Sequence, residues 1–399
     1  LYYPDSPYEF SVLPADILGQ VYEQFLGKTI RLTGGHQAKI EEKPEVRKAG
    51  GVYYTPTYIV DYIVANTLGR LLDGDDPDRK KPIPVSQAAK LKLCDPACGS
   101  GSFLIVAYQY LLDWHRDQYT LDPATGEPDA GKIQRHAAGK NPKIYQAKGG
   151  GWKLTTPERK RILLNNIYGV DIDSQAVEVT KLSLLLKVLE GETQQQLQRD
   201  FISERQRILP DLGDNIQCGN SLIGPDFYEN EQMQMLDDET KYRVNVFDWE
   251  SAFPEVFQQG GFDCVVGNPP YLAGRVWTDD LKQQRKYFAS RYSEFTDQYD
   301  LYGLFIERAI NLLNLGGRFG YITPNSWLNN EHYHPLRMWV SSNSEPVRVG
   351  DFRNVQVFKD ATVLPVVLLA RKKEKPDRSA KFDVEIFDSP KEFSTLVTS

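Results

Sequence analysis

The amino-acid sequence predicts an α/β protein built on a mostly parallel β-sheet. Short apolar runs alternate along the chain with segments of helical periodicity, which is the pattern of strands joined by helices. Several of these runs are apolar on both faces, as expected for strands that helices cover on both sides. A glycine-rich turn also joins one strand directly to a helix, which is typical of doubly wound α/β folds.

The elements can be assigned in order along the chain. Seven runs predict strands, namely LKLCDPA, IYGVDI, IQCGN, FDCVVGNPP, GRFGYITP, VRVGDF and VLPVVLLARK. Helices are predicted from TYIVDYIVANTLGRLL, SGSFLIVAYQYLLDWH, SQAVEVTKLSLLLKVLEG and LYGLFIERAINLLN. Upstream, ADILGQVYEQFLG has one apolar stripe and ends at Gly27, so we expect residues 1–50 to form a helical lead-in. The main domain is placed at 51–375, with polar surface inserts at about 117–157 and 230–250, and part of the first insert is expected to be disordered.

Length, composition and charge limit the class of protein. The 399 residues, 41% hydrophobic and 25% charged, suffice for one large globular domain or two smaller ones. No apolar run approaches the roughly 20 residues of a membrane span. The opening LYYPDSPYEF is not a signal peptide, and it suggests the interior of a longer protein. The net charge of −7 gives no general attraction to nucleic acid, so any DNA-binding surface must be local or lie on a further segment.

Cysteine usage predicts neither disulfides nor a metal site. The four cysteines lie in or beside apolar runs and lack the paired spacing of metal ligands. We therefore expect buried thiols in a reducing compartment.

The first loop that carries chemistry is DPACGSG. Gly99 and Gly101 allow the backbone to bend tightly and to approach a ligand, as in the first loop of a nucleotide-binding Rossmann unit. The spacing is not G-x-G-x-x-G, and no lysine follows as it does in a P-loop. Asp95 at the strand tip suits a cationic or amine-bearing ligand better than a pyrophosphate. The glycines alone are equally compatible with an ordinary strand–helix turn.

The next two strand tips also end in polar side chains. Asp171 in YGVDID can accept a pair of ribose hydroxyls, and Ile172 can cover one face of an adenine. Asp171 or Asp173 could instead cap the following helix, and for Asp173 capping is the favoured role. Asn220 in CGNSLIG can read the exocyclic amine of adenine. Together with Asp95, these tips describe a cofactor with adenine, ribose and a cationic tail. S-adenosylmethionine fits that description, whereas NAD leaves Asp95 unexplained.

The fourth tip is GNPPY. Its two prolines stiffen the loop, and Pro269 has no backbone donor, so carbonyl oxygens and the Asn268 side-chain oxygen are left to accept hydrogen bonds. Tyr271 offers a flat face for stacking. Such a loop matches a planar group that bears an NH2, whose nitrogen becomes a nucleophile toward a methyl sulfonium when both N–H bonds are held. A tight turn with a core tyrosine remains the alternative.

The motifs DPACGSGSF and NPPY together resemble those of the amino-methyltransferases of DNA. GVYYTP, placed upstream of the first strand, resembles the corresponding motif of the gamma arrangement, in which cofactor-binding motifs precede the catalytic one. The resemblance extends over about 51–373, and the opening segment looks like the lead-in of type IIG restriction–modification enzymes. It implies a Rossmann-like methyltransferase fold with a mostly parallel seven-stranded sheet and one antiparallel strand, and a prokaryotic, cytoplasmic, nucleoid-associated enzyme.

The resemblance also implies roles for individual residues. Cofactor contacts are implied for Tyr54, Thr55, Asp95, Ala97, Gly99, Asp171, Ile172 and Asn220. Asn268 and the Pro269 carbonyl would hold the target amine within the catalytic loop, which includes Pro270. Tyr271 would stack on an adenine flipped out of the double helix, with Phe358 on its other face. The implied reaction is methyl transfer from S-adenosylmethionine to adenine N6 of double-stranded DNA.

Other readings remain open. Protein-glutamine and RNA amino-methyltransferases use the same NPPY chemistry. Asp129, Glu158 and Lys160 resemble a nuclease motif only weakly, so nuclease activity would belong to a part of the protein outside this chain. A silent DNA-reading scaffold is disfavoured by the intact motifs. We expect residues 376–399 to begin a target-recognition region, and no membrane partner.

Overall fold

A computed structural model gives the fold of most of the chain. It describes residues 28–32, 38–42, 55–75, 81–147, 149–190, 209–229, 237–272, 279–292, 300–358, 363–375 and 383–387. Within these ranges, no helix has the length and apolar character needed to cross a bilayer.

An eight-stranded mixed sheet forms the centre of the described structure. The strands, in chain order and including two separate pairs, are β1 Lys28–Leu32, β2 Ala38–Glu42, β3 Leu93–Asp95, β4 Ile144–Gln146, β5 Trp152–Leu154, β6 Ile167–Asp171, β7 Ile216–Cys218, β8 Phe262–Gly267, β9 Leu313–Pro324, β10 Ser344–Asp351, β11 Pro365–Lys372 and β12 Asp383–Ile386. The spatial order of the large sheet is β12-β10-β11-β9-β8-β3-β6-β7. Only β11 runs antiparallel to its neighbours in this sheet. The predicted fold class is confirmed, with β12 as one strand more than expected.

Helices cover both faces of the sheet. Their bounds are α1 Thr57–Val64, α2 Arg70–Asp73, α3 Val85–Ala88, α4 Ser102–Thr120, α5 Ala130–Ala137, α6 Thr156–Asn166, α7 Ser174–Leu189, α8 Asp238–Val244, α9 Trp249–Ala252, α10 Pro254–Phe257, α11 Asp279–Arg291, α12 Leu301–Leu312, α13 Ser326–Asn329 and α14 His334–Asn343. A π-helical turn, Ala65–Gly69, joins α1 to α2.

Strand β8 shows how the two apolar layers arise. Cys264 and Val266 pack into the core that also contains side chains of α1, α4, α6 and α7. Val265 packs into the opposite core, which contains side chains of α12 and α14, and Phe262 joins it because the strand pairing is irregular between Phe262 and Cys264. Because successive side chains of a strand point to opposite faces, a run that is apolar throughout is buried on both sides.

Two expectations about the flanking and inserted segments were wrong in part. The predicted helical lead-in contains an antiparallel pair, β1 with β2, in which Ile30 lies opposite Ile40. β-branched residues in short alternating runs favour this arrangement. The predicted helix that ends at Gly27 lies outside the described residues.

The first polar insert is ordered where the structure describes it. It contains α5 and the antiparallel pair β4–β5. Asp129 begins α5 by accepting hydrogen bonds from the N–H groups of Gly131 and Lys132, so local capping compensates for the polar composition. The domain division at residue 375 stays a prediction, although β12, beyond that point, pairs with β10 in the same sheet.

Candidate active site

The four predicted loops lie next to one another at the carboxyl edge of the sheet. They follow β8, β3, β6 and β7, which are consecutive in the strand order. Because these strands are parallel, their carboxyl ends share one edge. The GNPPY loop (residues 267–271) therefore lies beside the glycine-rich loop (residues 96–101), although the two are far apart in sequence.

Glycine is required at two positions of the glycine-rich loop. Gly99 and Gly101 have φ angles of 52° and 85°, in the left-handed region that favours glycine. At Gly101, a Cβ atom would also lie only 2.8 Å from the Thr180 side chain. The loop is held by its neighbours, because Asp171 Oδ2 accepts from the Gly99 N–H at 2.8 Å and Thr180 Oγ1 donates to the Gly99 carbonyl at 2.8 Å.

Asp95 is a buried carboxyl group at the centre of this edge. Its side chain is 2% exposed, and Oδ1 accepts a hydrogen bond from the Ala97 N–H at 3.0 Å. Burial raises the pKa of Asp95 to about 8, with a smaller contribution from the nearby Asp171 charge and against the effect of the Ala97 hydrogen bond. Such a group gains most from a ligand that brings a positive charge, so Asp95 fits the predicted contact with a cationic tail.

Asp171 and Ile172 lie at the tip of β6. Asp171 Oδ1 accepts from the Asp173 N–H at 2.9 Å while Oδ2 holds the Gly99 N–H, and burial raises the pKa of Asp171. Each carboxylate oxygen has a further lone pair for a ribose hydroxyl. Ile172 is 54% exposed, which suits contact with a flat apolar ring. Asp173 caps α7 through the Gln175 N–H, as the sequence predicts.

Asn220 follows β7 and is nearly buried. Its Oδ1 accepts from the Leu222 N–H at 3.1 Å, so one lone pair shapes the loop. Next to it, Ser221 Oγ donates to the Pro96 carbonyl at 2.5 Å and joins this tip to the glycine-rich loop. On the other side, Gly267 lies so close to Asp95 that a Cβ atom would stand 2.7 Å from Oδ1. The four loops are therefore in direct contact as one unit.

The Asn268 side chain has one bonded and one unbonded end. Nδ2 donates to Thr55 Oγ1 at 3.0 Å. Oδ1 is buried and has no hydrogen-bond partner among the described residues. An unpaired buried carbonyl oxygen is unfavourable unless a donor arrives. Pro269 is buried and Pro270 exposed, which leaves the loop rigid around this acceptor.

Aromatic rings surround Tyr271. Its hydroxyl donates to the Ile322 carbonyl at 3.3 Å. The Phe358 ring lies 6.3 Å from the Tyr271 ring, at 74°, and the Tyr302 ring lies at the same distance, at 81°. The two rings predicted to lie on opposite faces of a base are therefore close together, but they are edge-to-face and not in the parallel arrangement of a sandwich. Tyr302 was missed, since in the sequence it reads only as an apolar position of α12.

The other predicted positions are placed as follows. Thr55 is 3% exposed and contacts Asn268, whereas Tyr54 lies outside the described residues. A cavity of about 480 Å³ lies between α7 and the edge strand β7, lined by residues that include Gln175 and Cys218. Cys218 Sγ approaches the Ile172 carbonyl at 3.6 Å, so this cavity flanks the predicted adenine contact and does not reach the GNPPY loop.

Two of the three residues that suggested a nuclease site, Asp129 and Glu158, have structural roles. Asp129 caps α5, and Glu158 is 1% exposed. Glu158 accepts from the Tyr119 hydroxyl and pairs with Arg161 and Lys143. Across the described part of the chain, no group of three or more His, Cys, Asp or Glu side chains is arranged to hold a metal ion.

The antiparallel strand β11 in an otherwise parallel sheet and the four contacting loops define the class. The chain has the Rossmann-like fold of S-adenosylmethionine-dependent methyltransferases. The chain is a relative of the restriction–modification methyltransferases, as its motifs predict. Residues 165–358 match the family of the Eco57I restriction-modification methylase.

Curated relatives support this assignment. The chain is 33% identical over 387 residues to the type II restriction enzyme and methyltransferase RM.Eco57I of Escherichia coli, covering 97% of this chain and 34% of that protein. It is 23% identical over 410 residues to the adenine-specific methyltransferase BrxX of Escherichia coli O9:H4 (strain HS), covering 82% of this chain and 30% of that protein. The chain thus spans about a third of the length of these relatives.

Solved structures show the same fold. The DrdV–DNA complex superposes with a TM-score of 0.52 at 14% identity, covering 96% of this chain and 31% of that chain. The type IIL restriction-modification enzyme MmeI in complex with DNA gives a TM-score of 0.51 at 15% identity, covering 95% of this chain and 42% of that chain.

Proposed function

We propose that this chain is the catalytic region of a DNA methyltransferase that transfers a methyl group from S-adenosylmethionine to N6 of a flipped adenine. The observation that carries the proposal is the buried, unpaired Oδ1 of Asn268. It belongs to a rigid loop beside Asp95, which is where an amine donor and a cationic cofactor would meet. Relatives named as type II and adenine-specific methyltransferases favour DNA and adenine as the substrate.

The residues at the sheet edge fit the cofactor. Asp95 would face its charged methionine end, and Asp171 would accept the ribose hydroxyls. Ile172 and Asn220 would contact the adenine ring and its amine. When bound, S-adenosylmethionine supplies an electrophilic methyl group on a sulfonium, so no strong base is needed to start the transfer.

The GNPPY loop would make the target nitrogen nucleophilic. Asn268 Oδ1 and the Pro269 carbonyl each accept one N–H of the adenine amine, which localises the nitrogen lone pair that is otherwise delocalised into the ring. Tyr271 and Phe358 hold the ring so that this lone pair points at the methyl carbon. The cofactor would supply the methyl group, its sulfur would keep the electron pair of the broken S–C bond, and the extra proton on the nitrogen would leave to water. N6 is inaccessible in a stacked duplex, so the base must be flipped out first.

The test is methyl transfer by the full-length protein. Unmethylated DNA is incubated with methyl-labelled S-adenosylmethionine, and the modified nucleoside is identified by mass spectrometry. We expect N6-methyladenine from the wild type and none from Asn268→Ala, whose cofactor affinity should be unchanged. Label in N4-methylcytosine, or wild-type transfer by Asn268→Ala, would contradict the proposal.

The same assay separates the alternative substrates. Release factor and ribosomal RNA are included in it, because label in either one instead of DNA would identify the alternative amino-methyltransferase.

The relative RM.Eco57I is named as a restriction enzyme as well as a methyltransferase. We therefore propose that the full-length protein carries a nuclease region outside the part described here, in addition to the target-recognition region that the sequence predicts.

A further inference from the structure

The contact between Thr55 and Asn268 joins two motifs that are 213 residues apart. The motif resemblance gives Thr55 to the cofactor. In the structure, its hydroxyl oxygen lies 3.0 Å from Asn268 Nδ2, the opposite end of the amide from the unpaired Oδ1.

The shape of the Asn268 amide does not determine which of its two ends faces the target. Its oxygen and nitrogen have almost the same shape, and rotation by 180° exchanges an acceptor for a donor. In the orientation seen here the Thr55 hydroxyl accepts from Nδ2, so both ends of the amide are satisfied when Oδ1 accepts from the target. The opposite orientation would turn two donors toward each other at the target, and the amine could not be held.

Thr55 is itself fixed in place. It precedes Pro56, which restricts its backbone to extended conformations, and α1 begins directly afterwards. Helix α1 is packed tightly on the sheet, since Ile59 and Ile63 are fully buried. A Cβ atom added at Gly320 of β9 would lie 2.7 Å from Ile63, so helix and strand are in direct contact.

We propose that Thr55 is a positioning residue for methyl transfer, which orients the Asn268 amide so that Oδ1 accepts the target N–H. This role rests on the proposed function. It differs from cofactor binding, because it acts on the transfer rate and not on cofactor affinity.

The test compares Thr55→Val, which keeps the shape and removes the hydroxyl, with Thr55→Ser, which keeps the hydroxyl. Single-turnover methyl transfer to DNA and the Kd for S-adenosylmethionine are measured with the full-length protein. We expect Thr55→Val to slow transfer by roughly 10- to 100-fold, the effect of one lost hydrogen bond at a reacting group. Its Kd should stay within about twofold of the wild type, and Thr55→Ser should restore most of the rate.

Two results would overturn the proposal. One is wild-type transfer by Thr55→Val. The other is a weakened Kd with an unchanged rate at saturation, which would make Thr55 a cofactor ligand. If the wild type itself transfers no methyl group to DNA, the proposed function fails separately.

A stability cycle tests the contact without any activity. Thr55→Val should lower the Tm clearly in the wild-type background and much less in Asn268→Ala, because the partner is already missing there. Equal shifts in the two backgrounds would also overturn the proposal.

Discussion

The Asp171 carboxylate holds the glycine-rich loop: its Oδ2 accepts the backbone N–H of Gly99 at 2.8 Å. The tip of one strand thereby shapes the loop that follows its neighbour. Ser221 does the same from the next tip, through the Pro96 carbonyl. The loops at the predicted cofactor-binding edge are therefore hydrogen-bonded to one another, and Asp171, which is predicted to bind the cofactor, also supports a neighbouring loop.

Replacement of Asp171 should impair cofactor binding. Asp171→Ala removes the proposed acceptors of the ribose hydroxyls and the support of Gly99. We therefore expect the Kd for S-adenosylmethionine, measured by calorimetry, to rise by roughly 10- to 100-fold. Asp173→Ala is the matched control. It should lower the stability by about 1 kcal/mol through the lost helix cap and leave the Kd unchanged. Equal affinity of Asp171→Ala and the wild type would contradict this prediction.

Cofactor binding should release a proton from Asp95. The pKa of this buried carboxyl is raised from 3.8 to about 8, so it is mostly protonated at pH 7 in the free protein. A bound cation favours the carboxylate, and roughly one proton should be released at pH 7. Calorimetry in buffers of different ionisation enthalpy counts it. Asp95→Asn should bind more weakly and release about one proton fewer, and an unchanged proton count in this variant would contradict the assignment.

The raised pKa of Asp95 should also make the stability of the free protein depend on pH. The folded state keeps the Asp95 proton up to about pH 8, whereas the unfolded chain loses it above pH 3.8. The stabilising contribution is therefore complete below pH 3.8 and lost as the pH rises toward 8. Asp95→Asn should lack this pH dependence, which denaturant titrations at several pH values would show.

A methyl group at Gly267 should impair both cofactor binding and methyl transfer. Its Cβ would lie 2.7 Å from Asp95 Oδ1 and 3.1 Å from Cγ, which forces the GNPPY loop away from the cofactor edge. We expect Gly267→Ala to lower both the affinity for S-adenosylmethionine and the transfer rate by at least about tenfold. Gly149→Ala is the control, because no atom lies within 4 Å of the added carbon. Full activity of Gly267→Ala would show that the two loops can separate without loss.

The sequence predicts the loops of this site better than the contacts between them. Asp95, Asp171 and Asn220 were found because each follows an apolar run, and parallel strands place such residues on one edge. The Thr55–Asn268 hydrogen bond could not be found in this way, because no local pattern reports a contact between residues 213 positions apart. The order in the first insert was missed for a related reason: the buried Glu158 cluster joins side chains from three separate segments.

The ring and the hydroxyl of Tyr271 should contribute separately to base flipping and methyl transfer. Tyr271→Ala removes the ring and should weaken base flipping and transfer by roughly 10- to 100-fold, in line with the stacking energy of one base. Tyr271→Phe keeps the ring and loses the hydrogen bond from the hydroxyl to the Ile322 carbonyl, so we expect a loss of a few-fold. The fluorescence of 2-aminopurine at the target position reports flipping. Equal losses in the two variants would indicate that the hydroxyl, not the stacked ring, is what matters.

The Glu158 cluster should stabilise the fold without taking part in the reaction. Burial alone would raise the pKa of Glu158, but hydrogen bonds from Arg161, Tyr119 and Lys143 outweigh it and lower the pKa from 4.5 to about 2. Because the folded-state pKa is lowered, the stabilisation is present above pH 4.5 and is lost as the pH falls through 2.

Glu158→Gln leaves Arg161 without its buried partner and should lower the free energy of unfolding by about 3–5 kcal/mol at pH 7. The difference from the wild type should shrink as the pH falls from 4.5 to about 2, because the unfolded chain is protonated first and the folded carboxylate only near pH 2. Glu178→Gln is the matched control: Glu178 pairs with Lys181 at 3.0 Å but is 72% exposed, so its loss should cost less than about 1 kcal/mol. Urea titrations at pH 7 and at about pH 3 measure both effects. A destabilisation by Glu158→Gln no larger than the control would mean that the cluster does not stabilise the insert, and a selective loss of DNA cleavage by the full-length protein would reopen the nuclease reading.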